Sequence, residues 1–306
     1  MERQKLILGT RGSELALAQS KLVADELKTA NPSLLIEQKI ITTTGDASTT
    51  LPLHEPTVEG AGVFTRQLEQ ALLKGEIDLA VHSLKDLPVE TPPGLVLAAI
   101  LPRAPVDDLL ISLHTGGIEG LPLGANIGTS SPRRALLLKA RRPDLSILPI
   151  RGNVPTRLQK VAAGVDYDAT LLAAAGLGRL GLDLSKDVIP VDGETLWLER
   201  LGWMLPAPGQ GAIAVETRQD DPRVDLLHVL HHEATACCVT AERLVLKYLG
   251  GGCHLALGVL AVLTEGNIFL RAVFVPNETS VPRSACATAP TPAAAARLVA
   301  DQLHFL

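Results

Sequence analysis

The sequence predicts an α/β protein with a smaller α+β domain at its C-terminal end. Strand-like and helical segments alternate from the N-terminus, which is typical of a sheet covered by helices. The same rhythm restarts after 102–105, and the last part of the chain instead groups two helices before two strands. A length of 306 residues fits two or three domains of ordinary size.

The first α/β lobe is predicted at residues 1–102, with 204–220 returning to it. The return is expected because a strand-like run, Ala212–Thr217, follows the Pro-Ala-Pro-Gly-Gln-Gly segment that begins at Pro206. The predicted elements are a strand at Leu6–Thr10, a helix from Ser13, a strand at Leu35–Thr43, a helix at about Thr65–Lys74 and a strand at Ile77–His82.

The second α/β lobe is predicted at 103–203, and an α+β domain at 221–306. The second lobe has predicted strands at Leu109–Ser112, Ala125–Gly128, Leu145–Ile150 and Ala169–Ala173, with helices from Pro132 and Val154. The last domain has predicted helices at Asp225–His231 and Ala234–Leu249, strands at Leu255–Leu263 and Ile268–Val275, and a helix from Thr291.

The charge distribution is uneven. The chain carries 28 Lys plus Arg against 33 Asp plus Glu, a net charge of −5, which argues against a general nucleic-acid binder. Eighteen of the cations are Arg, and the segment from Arg133 to Arg157 has a surplus of six positive charges. Arg suits bidentate capture of carboxylate or phosphate, so we expect a small anionic ligand.

Three corners share one pattern, in which a strand ends, polar residues follow and a helix begins. Ser13, Ser131 and Asn153 are the predicted N-caps, and an Arg lies beside each: Arg11, Arg133 with Arg134, and Arg151 with Arg157. Helix N-termini attract anions. Any one corner alone is typical of ordinary capping, but the three together favour an anion site.

Two further segments carry reactive side chains. His82-Ser-Leu-Lys-Asp follows a predicted strand, which makes Asp86 the best acid/base candidate. Gly250-Gly-Gly-Cys places Cys253 on a pliable loop, where a thiol can serve as a nucleophile or attachment point. Cys237, Cys238 and Cys286 fit buried, reduced thiols instead.

Several other interpretations of these motifs are less favoured. The Gly176-Leu-Gly-Arg-Leu-Gly motif matches a dinucleotide fingerprint, but no crossover helix and no convincing second strand are predicted after it. The segment from His231 to Cys238 lacks the ligand spacing of structural zinc, so we expect no metal. A two-lobed anion sensor and a phosphate-ester enzyme remain alternatives.

The N-terminal residues have no signal-peptide pattern, and no apolar run approaches the length of a bilayer span. We therefore expect a cytoplasmic protein without a membrane partner.

With these motifs together, the chain closely resembles the porphobilinogen deaminase family over nearly its whole length. The resemblance rests on motifs that begin at Gly9, Val81, Gly128, Arg151, Ala175, Pro206 and Gly250. It implies two lobes like those of periplasmic binding proteins, with the active site between them, and a third domain that carries the cysteine. It also implies a monomeric transferase of tetrapyrrole (heme or chlorophyll) biosynthesis.

The resemblance further implies that Cys253 holds a dipyrromethane cofactor through a thioether. Four porphobilinogen units are then added head to tail with loss of ammonia, and linear hydroxymethylbilane is released by hydrolysis. Asp86 matches the catalytic carboxylate that stabilises the cationic azafulvene. The implied cofactor contacts are Ser83, Lys85, Thr129, Ser131, Arg133 and Arg134, and the implied substrate contacts are Arg11, Ser13, Arg151, Arg157, Arg179 and Gln210.

The sequence departs from the common family pattern in a few places. Thr44 stands where an Arg is frequent, and the segment from Glu55 to Phe64, which includes Ala61, lacks the lysines often found there. His254 and Ala256 also replace more usual residues. The cysteine and Asp86 are retained.

Overall fold

Three sheets and seven α-helices make up the part of the chain that the structure describes. It is a computed structural model, and it describes residues 5–42, 65–251 and 255–305. The strands are β1 Lys5–Thr10, β2 Leu35–Ile40, β3 Leu79–Ser83, β4 Leu95–Ile100, β5 Asp108–Ser112, β6 Asn126–Gly128, β7 Ser146–Leu148, β8 Ala169–Ala173, β9 Val188–Val191, β10 Glu194–Arg200, β11 Ile213–Arg218, β12 Leu257–Thr264, β13 Asn267–Phe274 and β14 Arg283–Ala289. The α-helices are α1 Glu14–Ala30, α2 Arg66–Leu73, α3 Pro132–Arg141, α4 Val154–Ala162, α5 Ala174–Arg179, α6 Glu233–Tyr248 and α7 Pro292–Phe305, and 3₁₀ helices span Leu84–Asp86 and Val224–Leu230.

The first compact unit comprises Met1–Ala104 and Ala212–Cys237. Its sheet has the order β2-β1-β3-β11-β4, in which β1 runs parallel to β2 and β3. Strand β11 is antiparallel to both β3 and β4, so the strand-like run Ala212–Thr217 lies in this sheet. One sheet face buries Leu8, Leu79 and Val215 against Val23 and Leu27 of α1.

The second compact unit comprises Pro105–Gly211 and Cys238–Leu306. Its six-stranded sheet has the order β7-β6-β8-β5-β10-β9. Strands β7, β6 and β8 are parallel, whereas β5 and β10 are antiparallel to their neighbours. Because β5 starts opposite Ala173, Asp108 lies at the edge where the parallel strands end.

A three-stranded antiparallel sheet, β12-β13-β14, belongs to the same unit. Ala256 and Val273 share a buried cluster with Leu201 and Met204 of the preceding lobe. The predicted pair of α/β lobes followed by a smaller α+β region is therefore confirmed. The division at residues 102, 203 and 220 stays a prediction. Among the described residues, no helix combines the length and the apolar character needed to cross a bilayer.

The structure corrects the expectation that no convincing strand follows the glycine motif at Gly176. Strands β9 and β10 form an antiparallel hairpin there. Its turn contains Asp192 and Gly193, with φ values of 48° and 88°, as a type I′ turn requires. The segment predicted as an α-helix at Asp225–His231 is a 3₁₀ helix over Val224–Leu230.

Candidate active site

In the first unit, β1 leads into the predicted corner at the start of α1. Ser13 is the N-cap, and its Oγ accepts a hydrogen bond from the Ala16 N–H at 3.3 Å. Thr10 is fully buried, and its hydroxyl donates to the Ala16 carbonyl at 3.2 Å. Arg11 is half-buried between these two residues. The corner thus has the helix N-terminus and the cation that an anion site needs.

Strand β3 ends in the 3₁₀ helix Leu84–Asp86, which presents the acid/base candidate. The Ser83 hydroxyl is hydrogen-bonded to the buried Gln19, whose Nε2 donates at 2.9 Å. The Leu84 N–H donates to the Ala212 carbonyl at 3.0 Å, which ties this turn to the start of β11. Lys85 is half-buried and Asp86 is exposed. Because β1 and β3 are parallel neighbours, Arg11 and Asp86 lie at the same edge of the sheet.

His82, one residue before Ser83, contacts a buried carboxylate that the sequence did not reveal. His82 Nε2 is 3.1 Å from Glu216 Oε2, and these side chains are only 3% and 1% exposed. Glu69 of α2 is close enough for the Glu216 charge to affect it. Burial raises the pKa of Glu69, and the neighbouring Glu216 carboxylate raises it further. The contact links His82 at the end of β3 to Glu216 of the neighbouring strand β11.

In the second unit, β6 leads into the corner at the start of α3. Thr129 is buried, and its Oγ1 accepts a hydrogen bond from the Ser131 N–H at 3.2 Å. Ser131 is the N-cap, because its Oγ accepts from the Arg134 N–H at 3.4 Å. Pro132 occupies the first turn, as predicted.

Arg133 and Arg134 are buried and share the carboxylate of Asp108, a residue that no local sequence signal marks. Asp108 Oδ1 accepts from Arg134 Nη2 at 2.6 Å and Nε at 3.1 Å, and Oδ2 lies 2.6 Å from Arg133 Nη2. Arg133 Nη1 also donates to the Leu205 carbonyl at 2.7 Å, and Arg134 Nη1 to the Leu171 carbonyl at 2.8 Å. Much of their hydrogen-bonding capacity is therefore used inside the protein.

The electrostatics of this trio follow from burial. Burial alone would raise the pKa of Asp108, but the charges and hydrogen bonds of Arg134 and Arg133 outweigh it and hold that pKa well below the ordinary range. Burial lowers the pKa of Arg133. Arg133 Nε is buried and has no hydrogen-bond partner among the described residues. Two guanidinium groups with one carboxylate leave one positive charge in excess.

The third corner follows β7, the parallel neighbour of β6. Asn153 caps α4, and its Oδ1 accepts from the Thr156 N–H at 2.9 Å. Arg157 Nε donates to the Gly152 carbonyl at 2.8 Å. Arg151 and Arg157 are both half-buried. The second and third corners therefore lie at one edge of the sheet.

Arg179 and Gln210 complete the set of predicted contacts in this unit. Arg179 ends α5, and its Nη2 donates to the Gly211 carbonyl at 2.6 Å. Burial lowers the pKa of Arg179 to about 10, so the side chain stays charged at neutral pH. Gln210 is fully buried, and its Nε2 donates to the Val106 carbonyl at 2.7 Å and to Asp108 Oδ1 at 3.1 Å.

Cys253 lies outside the described residues, as do Thr44, Ala61, His254 and the segment from Glu55 to Phe64. The helix before the cysteine, α6, ends at a left-handed Gly250 with φ of 73°. The Gly251 N–H donates to the Leu246 carbonyl at 2.9 Å and the Gly250 N–H to the Lys247 carbonyl at 3.1 Å, which is a Schellman termination. A Cβ at Gly251 would collide with the Leu246 carbonyl. Two of the three glycines are therefore needed to end the helix.

The histidines that precede Cys237 have structural partners. His232 Nδ1 accepts from the Thr235 N–H at 3.3 Å, and His231 Nδ1 accepts from the Ile100 N–H at 3.3 Å. Within the described ranges, no group of three or more His, Cys, Asp or Glu side chains is placed to hold a metal ion. Cys237, Cys238 and Cys286 are free thiols, but the expectation that all three are buried is wrong, because Cys238 is buried, Cys237 is half-buried and Cys286 is exposed.

The fold and these corners define an α/β protein in which each lobe places helix N-termini and arginines at the ends of its strands. Residues 6–225 match the family model "Porphobilinogen deaminase, dipyromethane cofactor binding domain", and residues 236–303 match "Porphobilinogen deaminase, C-terminal domain". The chain belongs to the porphobilinogen deaminase family, whose members are transferases of porphyrin biosynthesis and act on porphobilinogen.

Named relatives agree with this assignment. The porphobilinogen deaminase of Rubrobacter xylanophilus is 46% identical over 272 residues, which cover 89% of this chain and 84% of the relative. That of Desulforudis audaxviator is 45% identical over 273 residues, with coverage of 89% and 84%.

More distant similarities involve the fold only. The methionine binding protein MetQ is 12% identical with a TM-score of 0.46, covering 76% of this chain and 92% of that protein. The BenM effector binding domain, solved with benzoate, is 16% identical with a TM-score of 0.43, covering 74% and 90%.

Proposed function

We propose that the chain is a hydroxymethylbilane synthase that joins four porphobilinogen molecules head to tail. Each addition releases one ammonia, and the linear product leaves by hydrolysis. The growing chain is held on a dipyrromethane group attached through the Cys253 sulfur. Besides family membership, one observation carries the proposal: the carboxyl edge of the six-stranded sheet gathers buried and half-buried arginines that suit a polycarboxylate.

The residues present fit the dipyrromethane cofactor. Its pyrrole rings bear acetate and propionate groups, and the second unit offers the N-termini of α3 and α4 together with an uncompensated positive charge at Arg133 and Arg134. When bound, the cofactor supplies the covalent primer to which pyrrole units are added. The proposed cofactor contacts are Ser83, Lys85, Thr129, Ser131, Arg133 and Arg134.

The proposed substrate contacts bind the carboxylates of incoming and added pyrroles. Arg11 and Ser13 belong to the corner of the first unit, and Arg179 keeps its charge at neutral pH although burial lowers its pKa. The full set is Arg11, Ser13, Arg151, Arg157, Arg179 and Gln210. The four arginines of the set supply positive charge, Ser13 and Gln210 are neutral, and the proposed role of all six is to orient the substrate through its carboxylates.

Asp86 is the proposed catalytic residue. Its side chain is exposed at the end of β3, where a bound ring can reach it. As ammonia leaves porphobilinogen, positive charge develops on the pyrrole ring. A carboxylate held by the rigid end of a buried strand stabilises that charge at the moment it forms. Without it, the positive charges of Arg11 and Lys85 at the same sheet edge would oppose the step.

Intact-mass spectrometry tests the attachment. We expect the purified chain to be heavier than its sequence mass by one dipyrromethane, and Cys253→Ser to lack that addition. Cys286→Ser is the matched control, because it removes an exposed thiol and should keep the addition. Active wild-type protein of unmodified mass would contradict the proposal.

Turnover of porphobilinogen tests the role of Asp86. Asp86→Ala should fold with an unchanged melting temperature, because the side chain is exposed, and lose turnover. Asp25→Ala removes an exposed carboxylate of α1 in the same unit and should keep turnover. Near-normal activity of Asp86→Ala would refute the assignment.

We further propose that the chain works as a monomer in the cytoplasm, with no nucleic-acid or membrane partner. The net charge of −5 supports the lack of a nucleic-acid partner. Size-exclusion chromatography with light scattering at micromolar concentration tests the monomer, and a mass twice that of the chain would contradict it.

A further inference from the structure

A tight turn, Ala207-Pro208-Gly209-Gln210, lies beside the arginines of the second unit. The Gln210 N–H donates to the Ala207 carbonyl at 2.9 Å, and Gly209 has a φ of 73°. Proline in the second position and a glycine with positive φ in the third define a type II turn. In this turn type the orientation of the peptide between Pro208 and Gly209 fixes the direction of the Gly209 N–H.

Gln210, the last residue of the turn, and Gly211 after it contact three of the predicted ligand arginines, two of them through Asp108. Gln210 Nε2 donates to Asp108 Oδ1 at 3.1 Å, and Asp108 pairs with Arg133 and Arg134. The next carbonyl, that of Gly211, accepts from Arg179 Nη2 at 2.6 Å. A change in the turn would therefore move partners of all three guanidinium groups.

The orientation of the turn is set by a buried carboxylate, Glu242 of α6. Glu242 is fully buried. Its Oε2 accepts from the Gly209 N–H at 2.8 Å, and its Oε1 accepts from the Ala261 N–H of β12 at 2.9 Å. Both oxygens thus receive backbone donors from separate segments. A carboxylate accepts hydrogen bonds at both oxygens, whereas a carboxamide accepts at its oxygen and donates from its nitrogen.

We propose that Glu242 is a positioning residue for the binding of pyrrole carboxylates. It holds the Gly209 peptide, and through Gln210, Asp108 and Gly211 it sets the places of Arg133, Arg134 and Arg179. It does so from the helix that precedes Cys253, so one side chain links the segment before the attachment residue to the arginines. The inference rests on the proposed function, because the ligand carboxylates come from it.

The test is Glu242→Gln in the full-length protein, assayed by steady-state turnover of porphobilinogen. The amide group faces a backbone N–H, so one buried donor loses its acceptor. Since the proposed substrate contact Arg179 binds carboxylates in both ground and transition states, its displacement should raise KM for porphobilinogen about tenfold and leave kcat within about twofold. Glu199→Gln is the matched control: its Oε2 accepts the Ile118 N–H at 2.6 Å in the same unit but does not touch the turn.

The split between KM and kcat separates positioning from simple destabilisation. A merely structural role would lower the active fraction, and with it the apparent kcat, at unchanged KM. That result, or the same KM change in Glu199→Gln, would overturn the inference. If Glu242→Gln does not fold, Gly209→Ala is the second variant, because it strains the same turn while Glu242 stays in place. A wild-type KM in Gly209→Ala would also overturn the inference. Failure of the proposed function is distinct, because wild-type protein would then show no turnover.

Discussion

Replacing Asp108 by Asn removes the carboxylate that pairs with two buried arginines. The Asp108 side chain is fully buried, and those of Arg133 and Arg134 are 5% and 8% exposed. Asn keeps one oxygen for Arg134 and Gln210. Its amide nitrogen, however, would point at Arg133 Nη2, so donor would meet donor and both guanidinium charges would lose their counter-charge.

The expected loss is large because the charges cannot reach water. Breaking a buried ion pair by removing one partner costs about 3–5 kcal/mol. A surface pair costs far less. Asp144 provides the comparison, since it pairs with Arg142 at 2.8 Å near the surface of the same unit. We therefore expect Asp108→Asn to lose several times more unfolding free energy than Asp144→Asn.

Urea unfolding followed by tryptophan fluorescence measures this loss. Both tryptophans of the chain, Trp197 and Trp203, belong to the second unit, so their signal reports the unit that contains Asp108. A loss for Asp108→Asn no greater than that for Asp144→Asn would refute the argument.

The pH dependence gives an independent check with a definite sign. The folded-state pKa of Asp108 lies below its ordinary value, near 3.9 for an unfolded chain. The stabilisation is therefore complete above that ordinary value and is lost as pH falls toward the folded-state pKa. The difference in unfolding free energy between wild type and Asp108→Asn should be constant from pH 7 to about 5 and shrink below about 4.

Three further predictions concern other sites. Glu216→Gln, which weakens the buried contact with His82, should cost about 1–3 kcal/mol in urea unfolding followed by circular dichroism. Gly193→Ala should cost about 1 kcal/mol by tryptophan fluorescence, because φ is 88° there, while Gly202→Ala, where a Cβ meets nothing, should cost little. Glu69→Gln should stabilise the first unit increasingly above about pH 4.3, since burial raises the pKa of Glu69 and disfavours its charged form.

Each of these has an outcome that contradicts it. Unchanged stability of Glu216→Gln would mean that the pair with His82 contributes nothing net. Equal losses in Gly193→Ala and Gly202→Ala would remove the role of the turn. A difference between Glu69→Gln and wild type that does not vary with pH would show that the charge of Glu69 is not what burial opposes.

Local signals in the sequence were sufficient for the corners of the site. Ser13, Ser131 and Asn153 were predicted as N-caps because each is a small polar residue between a strand-like run and a helical one, and all three accept the expected backbone N–H. The strand-like run Ala212–Thr217 after the break at Pro206 forms β11, which pairs with β3.

The buried partners could not be predicted, because they are distant in the sequence. Asp108 is 26 residues from Arg134, and Glu242 is 33 residues from Gly209. Neither carboxylate carries a local mark. The missed hairpin at β9 and β10 did carry one, the Asp192-Gly193 pair, which is typical of a two-residue turn.

The place of β11 in its sheet has a consequence for synthesis. β11 lies between β3 and β4, so the first sheet stays split until residues 213–218 have left the ribosome. The six-stranded sheet, in contrast, uses consecutive strands from Asp108 to Arg200. A growing chain therefore holds every strand of the second sheet before it can close the first. Meanwhile the facing edges of β3 and β4 remain open to chaperones or to pairing with a neighbouring nascent chain.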